Sequence, residues 1–100
     1  MRLSPEQSRL IVTCVRAQFG QSASVKLFGS RLDDKLRGGD VDLLVESAER
    51  PTLRQRALAT MALEEALELP VDIVAVQRGK PGSAFARMVQ QSAQALDLAA

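Results

Sequence analysis

The sequence contains no histidine. This absence argues against the common kinds of zinc site, against a serine–histidine triad and against a histidine general base. Any acid–base chemistry or metal binding must therefore depend on carboxylates and other oxygen groups.

Aromatic residues are also scarce: there is no tryptophan or tyrosine, and the phenylalanines are Phe19, Phe28 and Phe85. A platform on which single-stranded nucleic acid could stack is therefore poorly supported. The net charge is +1, with both signs interspersed along the chain, which argues against a dedicated nucleic-acid surface. We do not expect direct binding of nucleic acid.

Cysteines and long apolar runs are lacking as well. The one cysteine, Cys14, excludes an intramolecular disulfide, and its place on the apolar face of a helix predicts core packing. No stretch approaches the roughly 18 apolar residues of a membrane span, and the start MRLSPEQSRLIV lacks the apolar run of a signal peptide. We therefore expect a cytoplasmic protein with no membrane partner.

The length of 100 residues suits one domain over residues 1–100 with a single core. Periodicity, caps and turn residues predict helices over residues 4–19, 52–69 and 83–96 and strands over residues 24–28, 40–46 and 71–76. Because these elements are short, a small three- to four-stranded mixed sheet must pack against the helices. The expected class is α+β in an α-β-α-β-α-β-α order, the second α standing for the helix or turn after the first strand.

Capping residues and apolar spacing predict where the helices begin, end and face the core. In the first helix Ser4, Pro5 and Gln7 form a capping box with a leading proline, and Gly20 ends it. Its expected core residues are Leu10, Ile11, Cys14 and Val15. Those of the second helix, before Pro70, are Leu53, Ala57, Leu58, Met61 and Ala62. The third helix has Ser83 as its N-cap and an apolar face of Phe85, Met88, Val89, Ser92 and Leu96.

Acidic residues stand near the start of two predicted strands. Asp40 and Asp42 are two positions apart, so they share one face of a strand with their Cα atoms about 6.6 Å apart. Asp72 lies near the start of the next strand, VDIVAV. If the two strands are parallel neighbours, three carboxylates meet at one end of the sheet, which favours a hard divalent cation such as Mg²⁺. The alternative is that each is a solvated or turn-forming aspartate, a reading that weakens for Asp42 and Asp72 because apolar residues flank them.

The dipeptide Gly29-Ser30 follows the first strand. Glycine lets the backbone approach a bulky anion, and Ser30 offers a hydroxyl and an N–H group, so the pair is a candidate phosphate site. A plain turn is the alternative for an isolated Gly-Ser pair. The position of this pair shortly before the two aspartates favours the phosphate site.

The segment FGSRLDDKLRGGDVDLLV resembles the signature of the DNA polymerase β-like nucleotidyltransferase superfamily. In element order the resemblance covers nearly the whole chain and is greatest to the minimal nucleotidyltransferases of bacteria and archaea. It implies a triphosphate site formed by Gly29, Ser30 and Arg31. It also implies two Mg²⁺ ions, or Mn²⁺ in their place, held by catalytic acids at Asp40, Asp42 and Asp72. The spacer between the two motifs departs from many members because it has nine residues and contains Asp33-Asp34, which leaves the nucleotide preference open.

The resemblance further implies a reaction and a partner. The reaction is transfer of a nucleoside monophosphate, AMP from ATP, to a hydroxyl group, with release of pyrophosphate. Minimal members similar to this chain are commonly paired with a small helical HEPN protein, an RNase toxin, which some of them adenylylate as antitoxins. The alternative is a non-catalytic antitoxin or assembly subunit that acts by binding a HEPN-type partner.

Overall fold

Two helices and four strands make up the part of the chain that the computed structural model describes, residues 4–28, 41–80, 87–88 and 94–95. Their order is α1 Pro5–Phe19, β1 Ser24–Phe28, β2 Val41–Ser47, α2 Leu53–Leu67, β3 Val71–Gln77 and β4 Gln94–Ala95. The predicted first strand has the bounds of β1, and the first two predicted helices and the second and third predicted strands agree with α1, α2, β2 and β3 within two residues at each end. The helix or turn expected after the first strand lies outside the described residues. The α+β class is confirmed.

Helix α1 begins and ends where its capping residues predict. The Ser4 side chain accepts a hydrogen bond from the Gln7 backbone N–H at 3.1 Å, and the Gln7 side chain accepts one from the Ser4 backbone N–H at 2.9 Å. Two of the backbone N–H groups that lack partners within the helix are thus satisfied. At the other end Gly20 has a φ of 106°, a backbone conformation that side-chain-bearing residues rarely adopt. The expected core face is also confirmed, because Ile11 and Val15 are buried and Leu10 and Cys14 pack against them.

Helix α2 has the predicted position but not the predicted core face. Its N-cap Thr52 forms a capping box with Gln55. The residues that α2 buries are Ala59, Leu63 and Leu67, whereas the expected core residues Leu53, Ala57, Leu58, Met61 and Ala62 are all exposed. The two faces lie roughly half a turn apart on the helix. The prediction was wrong because both faces carry apolar residues at helical spacing, and spacing alone does not choose between them.

The four strands form one mixed sheet in the order β3-β2-β1-β4. β1 runs antiparallel to β2 and to β4, and β2 runs parallel to β3. β4 contradicts the predicted last helix, because residues 94 and 95 pair with Leu27 and Lys26 as a strand. Residues 87 and 88 are helical as predicted. The pairing of β4 satisfies backbone groups of β1, which would otherwise be an edge of the sheet, and such long-range pairing has no signal in local periodicity.

Apolar residues occupy both faces of the sheet. The face toward the helices joins residues of β1, β2 and β3 to the buried sides of α1 and α2 in the main core. The opposite face has a smaller apolar cluster in which Leu44 and Val76 are buried and Phe28 and Val74 are partly buried. Within the described ranges, neither helix has the length and apolar content needed to cross a bilayer.

Candidate functional site

Two of the predicted acids lie side by side on the sheet. Asp42 of β2 is paired in register with Asp72 of β3, and neighbouring strands are about 4.8 Å apart. Asp42 is half-buried and Asp72 is exposed. The structure thus brings together Asp42 and Asp72, two of the three acids that were expected to meet if the two strands were parallel neighbours.

Both carboxylates lie on the sheet face that points away from the helices. Val41 and Leu43, which flank Asp42, are fully buried in the core beneath the helices. Val71 and Ile73, which flank Asp72, belong to the same core. Because side chains alternate across a strand, Asp42 and Asp72 must share the opposite face. The buried apolar neighbours of the two acids therefore determine the sheet face on which their side chains lie.

The start of β3 is held by hydrogen bonds from two directions. The backbone N–H of Val41 donates to the carbonyl of Pro70 at 2.9 Å, which ties the first residue of β2 to the residue before β3. The backbone N–H of Val71 donates to the Glu64 carboxylate at 2.9 Å. Glu64 of α2 is therefore a positioning residue for the strand that carries Asp72. The sequence pattern does not reveal it, because Glu64 and Val71 meet only after β3 packs against α2.

The last residue of β1 borders the acids. Phe28 is the register partner of Asp42 across the antiparallel pair, and the dipeptide Gly29-Ser30 follows it directly in the sequence. The predicted phosphate-binding residues Gly29, Ser30 and Arg31 and the third predicted acid, Asp40, all lie outside the described residues. β1 thus ends next to Asp42.

The same face carries a lysine that the sequence analysis did not single out. Lys26 precedes Phe28 by two positions on β1, and its amino group lies 3.5 Å from the Glu46 carboxylate. Strand alternation could have indicated it, since Lys26 and Phe28 must share a face. Because Glu46 is the register partner of Ser24, the Lys26 amino group is directed toward the start of β1 and away from Phe28.

The chemistry of the two carboxylates suits a hard divalent cation. Carboxylate oxygens are the ligands that Mg²⁺ and similar ions prefer, and the apolar cluster that includes Phe28 and Leu44 borders Asp42 on the same face. Among the described residues no group of three metal-binding side chains occurs. Asp42 and Asp72 could therefore hold such an ion with two ligands, and a complete set would need a further donor such as the predicted acid Asp40.

A separate cavity lies at the other end of β2. It has a volume of about 440 Å³ and lies between the end of α1 and the start of α2, with Ser47, Glu49, Arg50 and Gln55 in its lining. Ser47 is five residues from Asp42 along β2, which corresponds to about 16 Å. The cavity is thus distant from the paired carboxylates, and we assign it no role in their chemistry.

Comparisons with known proteins identify the family and the fold. A family model described as a nucleotidyltransferase domain matches residues 8–96. A solved structure of a tri-AMPylated Shewanella oneidensis HEPN toxin in complex with an MNT antitoxin contains a similar chain, with a TM-score of 0.69 and 21% sequence identity. The match covers 92% of this chain and 70% of that one, and at this identity it shows a shared fold. No curated protein sequence matches.

Proposed function

This chain belongs to the nucleotidyltransferase domain family, and from that premise we propose that it is a metal-dependent enzyme that transfers AMP from ATP to a hydroxyl group on a HEPN-type partner protein. The observation that carries the proposal is the in-register pairing of Asp42 with Asp72 on the sheet face that points away from α1 and α2. Adjacent carboxylates repel each other. A divalent cation held by both would offset that repulsion.

We assign the acids distinct roles. Asp42, together with Asp40, would hold two Mg²⁺ ions, or Mn²⁺ in their place. When bound, such ions neutralise the triphosphate and favour ionisation of the acceptor hydroxyl. Asp72 adds a third carboxylate, and because it is the exposed member of the described pair, it also orients the acceptor hydroxyl and accepts its proton.

The proposed reaction is a single displacement at the α-phosphorus of ATP. The acceptor oxygen forms a bond to the α-phosphorus of ATP, and the bond from that phosphorus to the bridging oxygen breaks. Pyrophosphate leaves with the electron pair of the broken bond, and the hydroxyl proton passes to Asp72. Gly29, Ser30 and Arg31 bind the phosphates beside the end of β1, so that positioning and electrostatics supply most of the rate enhancement.

The partner is proposed from the structural comparison. The similar fold occurs in a complex that contains an AMPylated HEPN toxin and an MNT antitoxin. Each AMP group adds negative charge to the surface on which it is placed, and such a group repels RNA phosphates. Modification by this chain would then neutralise an RNase toxin in the cytoplasm, with residues 1–100 acting as one domain.

Two labelled forms of ATP test the proposal. The chain is incubated with Mg²⁺, a HEPN-type protein whose gene neighbours its own, and ATP labelled on the α- or the γ-phosphate. We expect the partner to retain the α label and not the γ label, because pyrophosphate carries the γ-phosphate away. Asp42→Asn and Asp72→Asn should lose the labelling. Glu6→Gln, which removes one charge from the exposed first turn of α1, is the matched control and should keep it.

The same experiment separates catalysis from binding. If the partner is inhibited in a stoichiometric complex and takes up neither label, the chain is a non-catalytic antitoxin and the proposed enzyme activity is wrong. Retention of the γ label would instead identify a phosphoryl transfer. Full labelling by both aspartate variants would move the site away from Asp42 and Asp72.

A further inference from the structure

Helix α2 carries a second apolar face that packs on nothing within the described residues. Leu53 is 72% exposed, Met61 is 66% exposed and Leu58 is 39% exposed. The face that α2 buries, with Ala59, Leu63 and Leu67, points the other way. Scattered exposed apolar residues are ordinary, but Leu58 and Met61 are three residues apart and share one face, which makes a patch of the kind that marks an interface. Leu53 lies about 140° from Leu58 around the helix and is outside this patch.

The charges on α2 run against its own dipole. Arg54 and Arg56 occupy the first turns, whereas Glu64 and Glu65 occupy the last turn and Glu68 is the C-cap. A helix favours acids at its N-terminus and bases at its C-terminus, and α2 has no acid in its first turn and no base in its last. Within the described ranges neither Arg54 nor Glu65 has an ion-pair partner. Glu64 binds the Val71 backbone N–H, but within the described residues the placement of Arg54 and Glu65 gives the isolated chain no ion pair.

An antiparallel copy of the same helix would make use of both features. Arg54, Leu58, Met61 and Glu65 are spaced by four, three and four residues, which is the spacing of a coiled-coil seam. A two-fold axis beside residues 59 and 60 places residue 54 opposite residue 65 of the second copy, and residue 58 opposite residue 61. The Arg54 of each copy then faces the Glu65 of the other copy, and the Leu58 of each copy faces the Met61 of the other.

We propose that this chain self-associates through α2 as an antiparallel, two-fold symmetric pair, with a seam formed by Arg54, Leu58, Met61 and Glu65. Such an isologous contact closes on itself and stops at the dimer. The paired carboxylates remain open to substrate, because they lie on the sheet face opposite the helices. The two sites of the dimer then face outward, on opposite sides of the assembly.

The size and charge of the seam predict how strong the dimer is. A helix of 15 residues is about 22 Å long, so a pair of such helices lies at the small end of specific interfaces. We expect association in the micromolar range, weakened by salt because the outer contacts are ion pairs. Sedimentation equilibrium of the full chain, over a range of concentrations at low and high salt, measures both properties.

A matched pair of variants locates the contact. Met61→Glu adds two negative charges to the seam of a dimer, which already contains two Glu65 carboxylates, and should weaken association about tenfold or more. Met88 is 62% exposed and lies outside α2, so Met88→Glu adds the same group elsewhere and should leave association unchanged. Circular dichroism checks that both variants keep the helical content of the parent.

Charge exchange distinguishes the proposed register from a general stickiness of α2. Arg54→Glu and Glu65→Arg each replace two attractive contacts by two repulsive ones, and each should weaken association about threefold to tenfold. The double variant restores opposite charges at both contacts and should recover the parent affinity. Such recovery is not expected if the two residues act independently.

Three outcomes overturn the proposal. One is a chain that stays monomeric at every concentration and salt tested. Another is a dimer that none of the α2 substitutions affects, which would place the contact on a different surface. The third is a monomer whose Met61→Glu variant loses the complex with the HEPN-type protein, which would assign this face to that partner instead.

Discussion

The face that α2 turns to the core can be tested by truncating two of its side chains. Leu63 is fully buried and Met61, two residues earlier, is 66% exposed. Leu63→Ala removes three carbon groups, about 2.4 kcal/mol at about 0.8 kcal/mol each, and the cavity left behind brings the expected loss to about 3–4.5 kcal/mol. This is a large share of the roughly 5–15 kcal/mol that stabilises a domain of this size. Met61→Ala should cost less than about 1 kcal/mol, as surface substitutions do.

Urea unfolding followed by far-UV circular dichroism measures both free energies. The protein concentration is kept low enough for the chain to be monomeric, so that the proposed contact between copies does not contribute. We expect a lower midpoint for Leu63→Ala with an unchanged dependence on urea. Equal losses for the two variants, or a larger loss for Met61→Ala, would refute the observed packing and restore the face that the sequence pattern suggested.

Further predictions concern the site and the cysteine. Mg²⁺ with ATP should raise the unfolding temperature of the parent. The expected stabilisation is about 2.7 kcal/mol when the ligand concentration is 100-fold above its dissociation constant. Asp42→Asn should show no such rise, and a rise equal to that of the parent would contradict the metal site. Ser30→Ala should weaken ATP binding in a calorimetric titration without lowering the unfolding temperature, and unchanged affinity would move the phosphates elsewhere. Burial raises the pKa of the Cys14 thiol, so at mildly alkaline pH it should react with a thiol reagent more slowly than a free cysteine, and an equal rate would show that the thiol is open to solvent.

Local signals were enough to predict most of the fold and the convergence of two acids. The capping box at Ser4 and the glycine at position 20 define α1 without help from the rest of the chain. Asp42 and Asp72 each occupy the second position of an apolar strand, so parallel pairing in register brings them together. Only the parallel pairing itself had to be assumed.

The wrong predictions, the core face of α2 and the last helix, concern features that depend on contacts between distant parts of the chain. α2 has two apolar faces, and the packing of Leu63 and Leu67 against the rest of the core selects one of them. β4 forms by pairing with β1, whose backbone N–H and C=O groups it satisfies. The local sequence pattern around residues 94 and 95 does not indicate this long-range pairing. The hydrogen bond between Glu64 and Val71 likewise joins α2 to the start of β3. No local sequence pattern predicts this contact.

Nucleotide transfer by the paired carboxylates is tested most directly by the intact mass of the HEPN-type partner after incubation with this chain, ATP and Mg²⁺. We expect a mass increase of one or more AMP units with the parent chain, and none with Asp42→Asn or Asp72→Asn. An unmodified partner that is nevertheless inhibited by the parent chain would contradict the proposed nucleotide transfer.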